Sequence, residues 1–568
     1  MTDVISSAKK VLVPVSPYSV AVIADAHFHD PRSSFGGAGV DVNGERLALR
    51  SWNDIRAGSR VINETAFALT TALDKIVLAG VQHVIFAGDY TDDGQVENTR
   101  SLALLLEKYH QTYGTRFYLI PGNHDTFGPF GKHVSTRFVT GPDTSVLVTS
   151  DPKLVAIQRE DAVLTAAMRC EGQPAALRHM ARFGLFRQPA DLHWESPFGT
   201  SDAAEARLYD ATATDRSVVH RLMDGSYLVE PEAGLWLLMI DANVFEPRIG
   251  QTEPSRKKTF ADPADAGWNA VLRLKPFLLS WIKDVVSRAA AAEKTLVTVS
   301  HYPVLDPFQD VAGAEDALFG ATSIVRRTPD VIVGTALIAA GLHWHAGGHM
   351  HVNATTVMKT DSGGITDLSL PSLAAFPPAF KVFHTTQTSV TVETVVLRDV
   401  PTDPNIHSVY QMQGRVAEPL DYDAFLLAQF RCHVIERILP RDWPLDLLKI
   451  IKVANAALLL EMISTNSDQF LSEHGLAAKA LSHYQVVELI QDAYIIRASG
   501  PLARRYIAPV NIAICRAFAV SFGEDEAQPK TSDKAFIGRF LSVLRVSIGR
   551  MDGADDIILA KASNLTTL

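Results

Sequence analysis

Tyr18-Ser19-Val20-Ala21-Val22-Ile23-Ala24-Asp25-Ala26-His27 is a short apolar run that ends on a carboxylate and an imidazole two positions apart. The run reads as a strand, and the Asp-x-His pair as donors at its C-terminal end. Residues two apart on an extended backbone share a face, so both side chains can converge on one ion. The same pattern recurs along the chain. His83 to Ala87 feeds Gly88-Asp89-Tyr90-Thr91-Asp92, and Arg116 to Ile120 feeds Gly122-Asn123-His124-Asp125. Thr295 to Val299 ends in Ser300-His301, and Leu342 to Ala346 leads into Gly347-Gly348-His349-Met350-His351. Helical spacing over Asn63 to Leu78 and Val96 to Tyr113 separates the first three runs. Strand, helix, strand with polar groups at the strand ends is the α/β layout, in which ligands bind beyond the carboxyl ends of strands.

The whole-chain properties bound the answer. At 568 residues the chain is too long for one ordinary domain. Hydrophobic content of 47% with 20% charged residues is that of a globular protein with a sizeable core. A formal net charge of −10 and a pI near 6.0 argue against general nucleic-acid or anionic-membrane binding, although a local basic pocket stays compatible with them. Cys170, Cys432 and Cys515 lack paired spacing and read as reduced core thiols. Met1 to Lys10 has no apolar stretch of a secretory signal, and nothing approaches a membrane-span length. The expectation is a soluble, cytoplasmic protein.

The donors carry the chemistry. A two-metal site needs a carboxylate that bridges the ions, with neutral or anionic donors on either side. Asp89, at a glycine-supported strand end, is the natural bridge. Asp25 adds a carboxylate, Asn123 an amide oxygen, and His27, His301, His349 and His351 imidazoles. Mixed nitrogen and oxygen ligation suits two divalent or trivalent ions of Fe, Mn, Zn or Co rather than Ca or Mg. The glycines before Asp89, Asn123 and His349 permit tight turns and close backbone approach.

The ordered series D-x-H, G-D-x-x-D, G-N-H-D, H and G-H-x-H resembles the calcineurin-like metallophosphoesterases over roughly residues 18 to 398. That resemblance implies a four-layer α/β/β/α sandwich with metals at the strand ends. It places Asp25, His27, Asp89 and His351 on one ion and Asp89, Asn123, His301 and His349 on the other. It implies a phosphoesterase in which a metal-bound hydroxide attacks phosphorus, with His124 as general acid oriented by Asp125, acting on a small phosphorylated substrate. Asp93 stands where the related protein phosphatases carry a phosphate-binding arginine, and Asp92 where purple acid phosphatases carry a metal-binding tyrosine. Both departures favour the bacterial cyclic-nucleotide and related phosphodiesterase branch. A phosphomonoesterase is the alternative, and a non-catalytic binding scaffold the third reading.

Other residues receive bland readings. Asp92 and Asp125 are equally suited to orienting a donor. His29 and Asp30 read as solvated loop positions, and His343 and His345 as packing residues. His133, Arg137, His179 and Arg182 read as surface positions. The loop from Ser369 to Pro378 lies near the site by the same resemblance, with a plain turn as its alternative. The catalytic domain is expected over 1–400, interrupted at about 127–234 by an insertion that caps the site and is largely helical over Leu154 to Phe183. An all-α C-terminal domain over 401–568 follows, with a buried stripe of Phe425, Ala428, Cys432, Ile435 and Leu439 ended by Pro440 and Pro444. Helices are expected over Asp446 to Ile463, His483 to Ala498, Ala508 to Ser521 and Lys534 to Ile548, with a polar linker from Gly523 to Asp533. These helices offer a surface for a homo-oligomer.

Overall fold

The computed structural model describes residues 18–158, 161–309, 311–385, 389–415, 421–464, 466–522, 533–554 and 557–560. The first ten residues and all but the end of the polar linker at 523–533 lie outside them. Two mixed sheets form the centre. In the six-stranded sheet Tyr18–Ile23 lies parallel to His83–Ala87, which lies parallel to Arg116–Ile120. On its other side Tyr18–Ile23 pairs antiparallel with Ala379–Thr385, then Ser389–Val396 and Ile557–Ala560 follow, each antiparallel to its neighbour. The seven-stranded sheet carries Leu235–Ile240, Thr295–Ser300, Trp344–Gly347 and Gly363–Ser369 in parallel succession. Ala354–Thr360 closes one edge, and Tyr227–Glu232 and His193–Glu195 close the other, all antiparallel.

The two-residue period of a strand divides Leu235–Ile240 between two cores. Leu235, Leu237 and Met239 join the large cluster that contains the first sheet. Trp236, Leu238 and Ile240 face the cluster that holds the helices Gly267–Leu274 and Phe277–Ala291. Contacts such as Tyr227 Oη to the Leu119 carbonyl, 3.0 Å, cross between the sheets. Helix Thr65–Leu78 buries Ala68, Leu69, Ala72, Leu73 and Ile76, the spacing of one helical face, in the large cluster. Among the described residues no helix is long and apolar enough to cross a membrane.

Several expectations fail in instructive ways. The span 127–234 holds more strand than helix: Ser135–Val139, Ser145–Thr149 and Ala162–Leu164 form one small sheet, and Leu208–Thr212 with Val219–Met223 a hairpin. The helix expected over Leu154 to Phe183 is reduced to Pro152–Gln158, Ala175–His179 and single turns. Leu147 to Thr149 offers a free edge that Ala162–Leu164 pairs with, and that pairing overrides weak helix propensity. The end of the span belongs to the second sheet, through Tyr227–Glu232.

The C-terminal region is helical but not all-α, because Ile557–Ala560 adds a strand to the first sheet. An apolar four-residue run there covers the edge of Ser389–Val396 and satisfies its backbone groups. The helix expected from Asp446 to Ile463 breaks into Leu445–Ile451 and Ala456–Ile463, where the Asn455 side chain caps the Leu458 amide. The expected stripe is also displaced. Ala428 and Ile435 are exposed, whereas Phe425, Leu426, Gln429, Val434 and Leu439 are buried. A wider π turn spans Val434–Ile438 around the exposed Ile435, and the chain stays helical through Pro440 to Asp442. The large hydrophobic cluster runs unbroken from the first sheet into these helices, through Tyr410, Tyr422, Phe425, Ile490 and Phe518. Tyr422 Oη donates to the Leu373 carbonyl at 2.8 Å, and Asn63 Nδ2 donates to Tyr410 Oη at 2.9 Å.

Candidate metal centre

Every expected metal donor sits at the carboxyl end of a strand, and the structure brings all seven together. Asp25 and His27 follow Tyr18–Ile23, Asp89 follows His83–Ala87, and Asn123 follows Arg116–Ile120. His301 follows Thr295–Ser300, and His349 and His351 follow Trp344–Gly347. The two sheets thus contribute from opposite sides. Backbone bonds lock the ends in place: Asp25 N–H to Gly88 O at 3.1 Å, His27 N–H to Asp89 O at 2.9 Å, and Gly348 N–H to His301 O at 2.7 Å.

Three overlapping groups result, each with its donor atoms within 4.8 Å of one another: Asp25, His27 and His351; His27, Asp89 and His124; Asp89, His301 and His349. Asp25 Oδ1 lies 3.2 Å from His351 Nε2, which lies 3.1 Å from His27 Nε2. On the other side His301 Nε2 is 3.3 Å from Asp89 Oδ2 and 3.2 Å from Asn123 Oδ1. The second ring nitrogens are tied to backbone carbonyls. His301 Nδ1 bonds Ala87 O and His349 Nε2 bonds Ala264 O, each at 2.9 Å, which fixes the ring directions.

The backbone here is unusual. Asp25, His27, Asp89, His349 and His351 all have left-handed φ, between 43° and 70°. Such residues cost about 1–3 kcal/mol each and persist where surrounding structure holds them, as at binding sites. The preceding glycines allow the crowding. A Cβ on Gly122 would run into the Asp89 carboxylate, and one on Gly348 into that of Asp25.

Electrostatics separate the imidazoles. Burial, helped by the Arg60 and His124 charges, holds His27 well below its ordinary value. Burial and His301 do the same for His349. A neutral imidazole is the form that ligates a cation. Burial works against charge on His301 too, but Asp89 outweighs it and pushes His301 up to about 9. Burial alone would raise Asp89; the surrounding imidazoles, His301 first, hold it well below the carboxylate range.

His124 is placed as expected, but its partner is not. Its Nδ1 bonds Asp93 Oδ1 at 2.7 Å, and its Nε2 edge faces the cavity. Asp125 instead accepts backbone N–H groups of Gly122 at 2.8 Å and Thr91 at 2.9 Å, and the Thr91 hydroxyl at 2.9 Å. It is buried under the turn, with its carboxyl pushed up to about 7 by burial and the Asp89 charge, and it does not orient His124. The reason is geometric. Gly94 takes φ of 66°, and the turn it closes aims Asp93 back at the imidazole. In the sequence Asp93 reads only as the replacement of a phosphate-binding arginine, with no sign of this role.

Arg60 was missed by sequence reasoning. Its Nη1 lies 2.9 Å from His27 Nδ1 and 3.2 Å from His124 Nε2. It sits in a loop with no motif, so no local signal marks it. His29 is corrected as well. It is 2% exposed, bonds the Ala48 carbonyl at 2.7 Å and packs against the rings of Phe35 and Phe138. Asp92 pairs with Arg50 and accepts from Gln95 Nε2, behind the donors. His345 packs as expected, bonding Asp367 and Ser300, each at 2.8 Å, while Asp367 holds the Val304 and Leu305 amides of the loop after His301. His133, Arg137 and Arg182 are exposed, His179 is tied to Glu171, and none of the four lines the cavity.

Asp89, Asn123, His349 and His351 line a cavity of about 900 Å³. Of the span expected to cap it, only Phe127 and Lys132 reach it; the walls come from 248–264, the 369–378 loop and the C-terminal helices. Ser372 Oγ donates to the Asp25 carbonyl at 2.7 Å, which fixes the 369–378 loop beside the floor.

Residues 18–164 match the calcineurin-like phosphoesterase family. The chain carries that family's domain there and a large helical part towards its C-terminus. His301, His349 and His351 lie beyond the matched span and join it through the fold. No curated protein matches the chain. Among solved structures, a dimetal phosphatase from Danio rerio is 14% identical, covering 67% of this chain and 98% of its own at a TM-score of 0.34. A phosphopantetheinyl hydrolase from Mycobacterium tuberculosis is 12% identical, covering 63% and 91% at a TM-score of 0.22. Superpositions this loose carry no argument about activity.

Proposed function

We propose that this chain, with its calcineurin-like phosphoesterase segment at residues 18–164, hydrolyses phosphate esters at a binuclear metal centre and favours diesters. The observation that carries this reading is the three donor groups linked through His27 and Asp89, which reach one cavity by way of Asp89, His349 and His351. Asp25, His27, Asp89 and His351 would hold one ion, and Asp89, Asn123, His301 and His349 the other. The donor chemistry fits Fe, Mn, Zn or Co. When bound, two such cations activate water and neutralise charge developing on a phosphoryl group. On this reading the two sheets and their outer helices correspond to the α/β/β/α sandwich of the family.

The chain's own residues supply the rest. Asp93 holds His124 Nδ1 and so directs Nε2, 3.2 Å from Arg60 Nη1, as the nitrogen that would protonate the departing alkoxide once substrate displaces that contact. Such acid assistance is worth roughly 10²–10⁴-fold. Arg60, beside His124 and lining the cavity, is placed to hold a non-bridging phosphoryl oxygen with a planar, permanently charged donor. Asp93 is thereby committed to His124 at the position where related protein phosphatases carry a phosphate-binding arginine, which supports a diester over a phosphoprotein.

The test is hydrolysis of bis-p-nitrophenyl phosphate and p-nitrophenyl phosphate by purified protein supplied separately with Mn, Fe, Zn and Co. The expected result is turnover of both, with the higher kcat/KM for the diester. No turnover with any metal overturns the hydrolase reading; a higher value for the monoester overturns the diester preference.

A further inference from the structure

The chain carries a formal net charge of −10, yet one wall of the cavity over the metal donors is basic. Lys132, Arg248, Lys257 and Lys258 line that cavity, and none forms an ion pair among the described residues. Lys132 Nζ lies 5.7 Å from the Phe127 ring centre, and the other three are exposed. Other cations of the same cavity are already paired: Arg327 with Asp265, Arg441 with Asp442, and Arg497 with Glu315. The loop is held in shape independently of its charges. The Arg248 amide donates to Thr259 O at 2.8 Å and the Ala261 amide to Glu246 O at 2.9 Å, so its two arms are pinned together. Phe260, packed on Phe127 and Phe245 with ring centres 6.3 and 6.2 Å away, anchors it below. Unpaired cations held together by a fixed backbone repel one another and form a ready site for an anion.

None of these four residues is among the expected metal donors. Phe376, Phe430, Ile438 and Tyr494 add an apolar wall to the same cavity, with Phe376 and Phe430 stacked at 5.5 Å. A volume near 900 Å³ is far more than one phosphate needs.

We infer that Lys132, Arg248, Lys257 and Lys258 form a second anion subsite, so the substrate carries an anionic group separate from the reacting phosphate, joined to it through an apolar, ring-sized portion. This rests on the hydrolase reading only for the identity of the reacting phosphate. Binding energy gained at such a remote group is available to orient the reacting centre.

The probes are methylphosphonate, benzylphosphonate and p-xylylenediphosphonate, whose carbon–phosphorus bonds a phosphoesterase leaves intact. They are titrated calorimetrically into metal-loaded wild-type protein and into an R248Q/K257Q/K258Q variant. Benzylphosphonate is expected to bind tighter than methylphosphonate. The diphosphonate is expected to bind at least about tenfold tighter than benzylphosphonate at low salt, and that advantage to shrink as salt rises. The triple variant is expected to lose the advantage while keeping its melting temperature and its affinity for benzylphosphonate. Equal affinities for the mono- and diphosphonate, or a diphosphonate preference that survives in the variant, overturns the inference. Binding is read without turnover, so an inactive protein with the diphosphonate preference sinks the hydrolase reading alone. An active protein without that preference sinks this inference alone.

Discussion

The floor and the walls of the cavity are built on opposite principles. The floor is made of strand ends: buried donors on left-handed backbone, each held by bonds to its neighbours, as in His27 N–H to Asp89 O. The walls are made of loops and helices far apart in sequence, and they carry both exposed cations and aromatic rings. The floor fixes a reaction; the walls choose what reaches it. Because the wall helices share the large hydrophobic cluster with the first sheet, the two parts are coupled in stability although separate in chemistry.

The comparison can be broken most drastically at that shared cluster. Ending the chain at Asp403 bares the surface under Tyr410, Tyr422 and Phe425 and removes the edge strand Ile557–Ala560. The expected product aggregates or lacks a cooperative melt in calorimetry. A soluble fragment that melts cooperatively shows that the walls are a detachable domain.

Within the floor, His124→Ala is expected to lower kcat by about 10²–10⁴-fold on an ester with a poor leaving group such as phenyl, and far less on p-nitrophenyl. Asp93→Asn is expected to reproduce that leaving-group dependence at a smaller size. An Asp93→Asn enzyme equally slow on both esters removes Asp93 from the proton-handling role.

Asp125→Asn separates holding from catalysis. It leaves buried amides of Gly122 and Thr91 without their carboxylate, a loss of about 1–3 kcal/mol in denaturant unfolding. The leaving-group dependence is expected to stay that of wild type. A shift in that dependence without loss of stability returns Asp125 to the orienting role that the sequence suggested.

The smallest effect concerns the join between floor and wall. Glu64, bonded to Tyr410 Oη at 2.7 Å, has its carboxyl pushed up to about 7, because burial outweighs that bond. The folded state therefore binds the proton more tightly than the unfolded chain. Its contribution to stability is full below pH 4.5 and is lost as pH rises toward 7. Glu64→Gln is expected to flatten the fall in melting temperature over that window; a parallel fall in both proteins shows that Glu64 does not titrate there.

The floor was legible because its grammar is local. An apolar run that ends on a donor names a strand end whatever follows, with a glycine between them at Asp89 and His349, so Asp25, Asp89 and His349 are readable one by one. Partners set by a turn's exact path were not, which is why the resemblance points to Asp125 while Asp93 makes the contact. Arg60 enters from a loop with no pattern at all. The walls failed for a different reason. Ala162–Leu164 looks helical until an open strand edge captures it, and Ile557–Ala560 is a short run whose meaning lies in Ser389–Val396, some 160 residues earlier. The stripe through Phe425 held only at its ends: Phe425 and Leu439 are buried, whereas Ala428 and Ile435 face solvent.

The central claim is that one carboxylate, Asp89, joins two metal ions on this floor. Metal analysis of the wild type and Asp89→Asn, after chelation and reloading with Mn, tests it most directly. Two equivalents per wild-type chain are expected, and the variant is expected to retain at most one and to lose activity by at least about 10³-fold, since charge neutralisation by the paired ions goes with it. An Asp89→Asn protein that keeps two equivalents and its turnover contradicts the account.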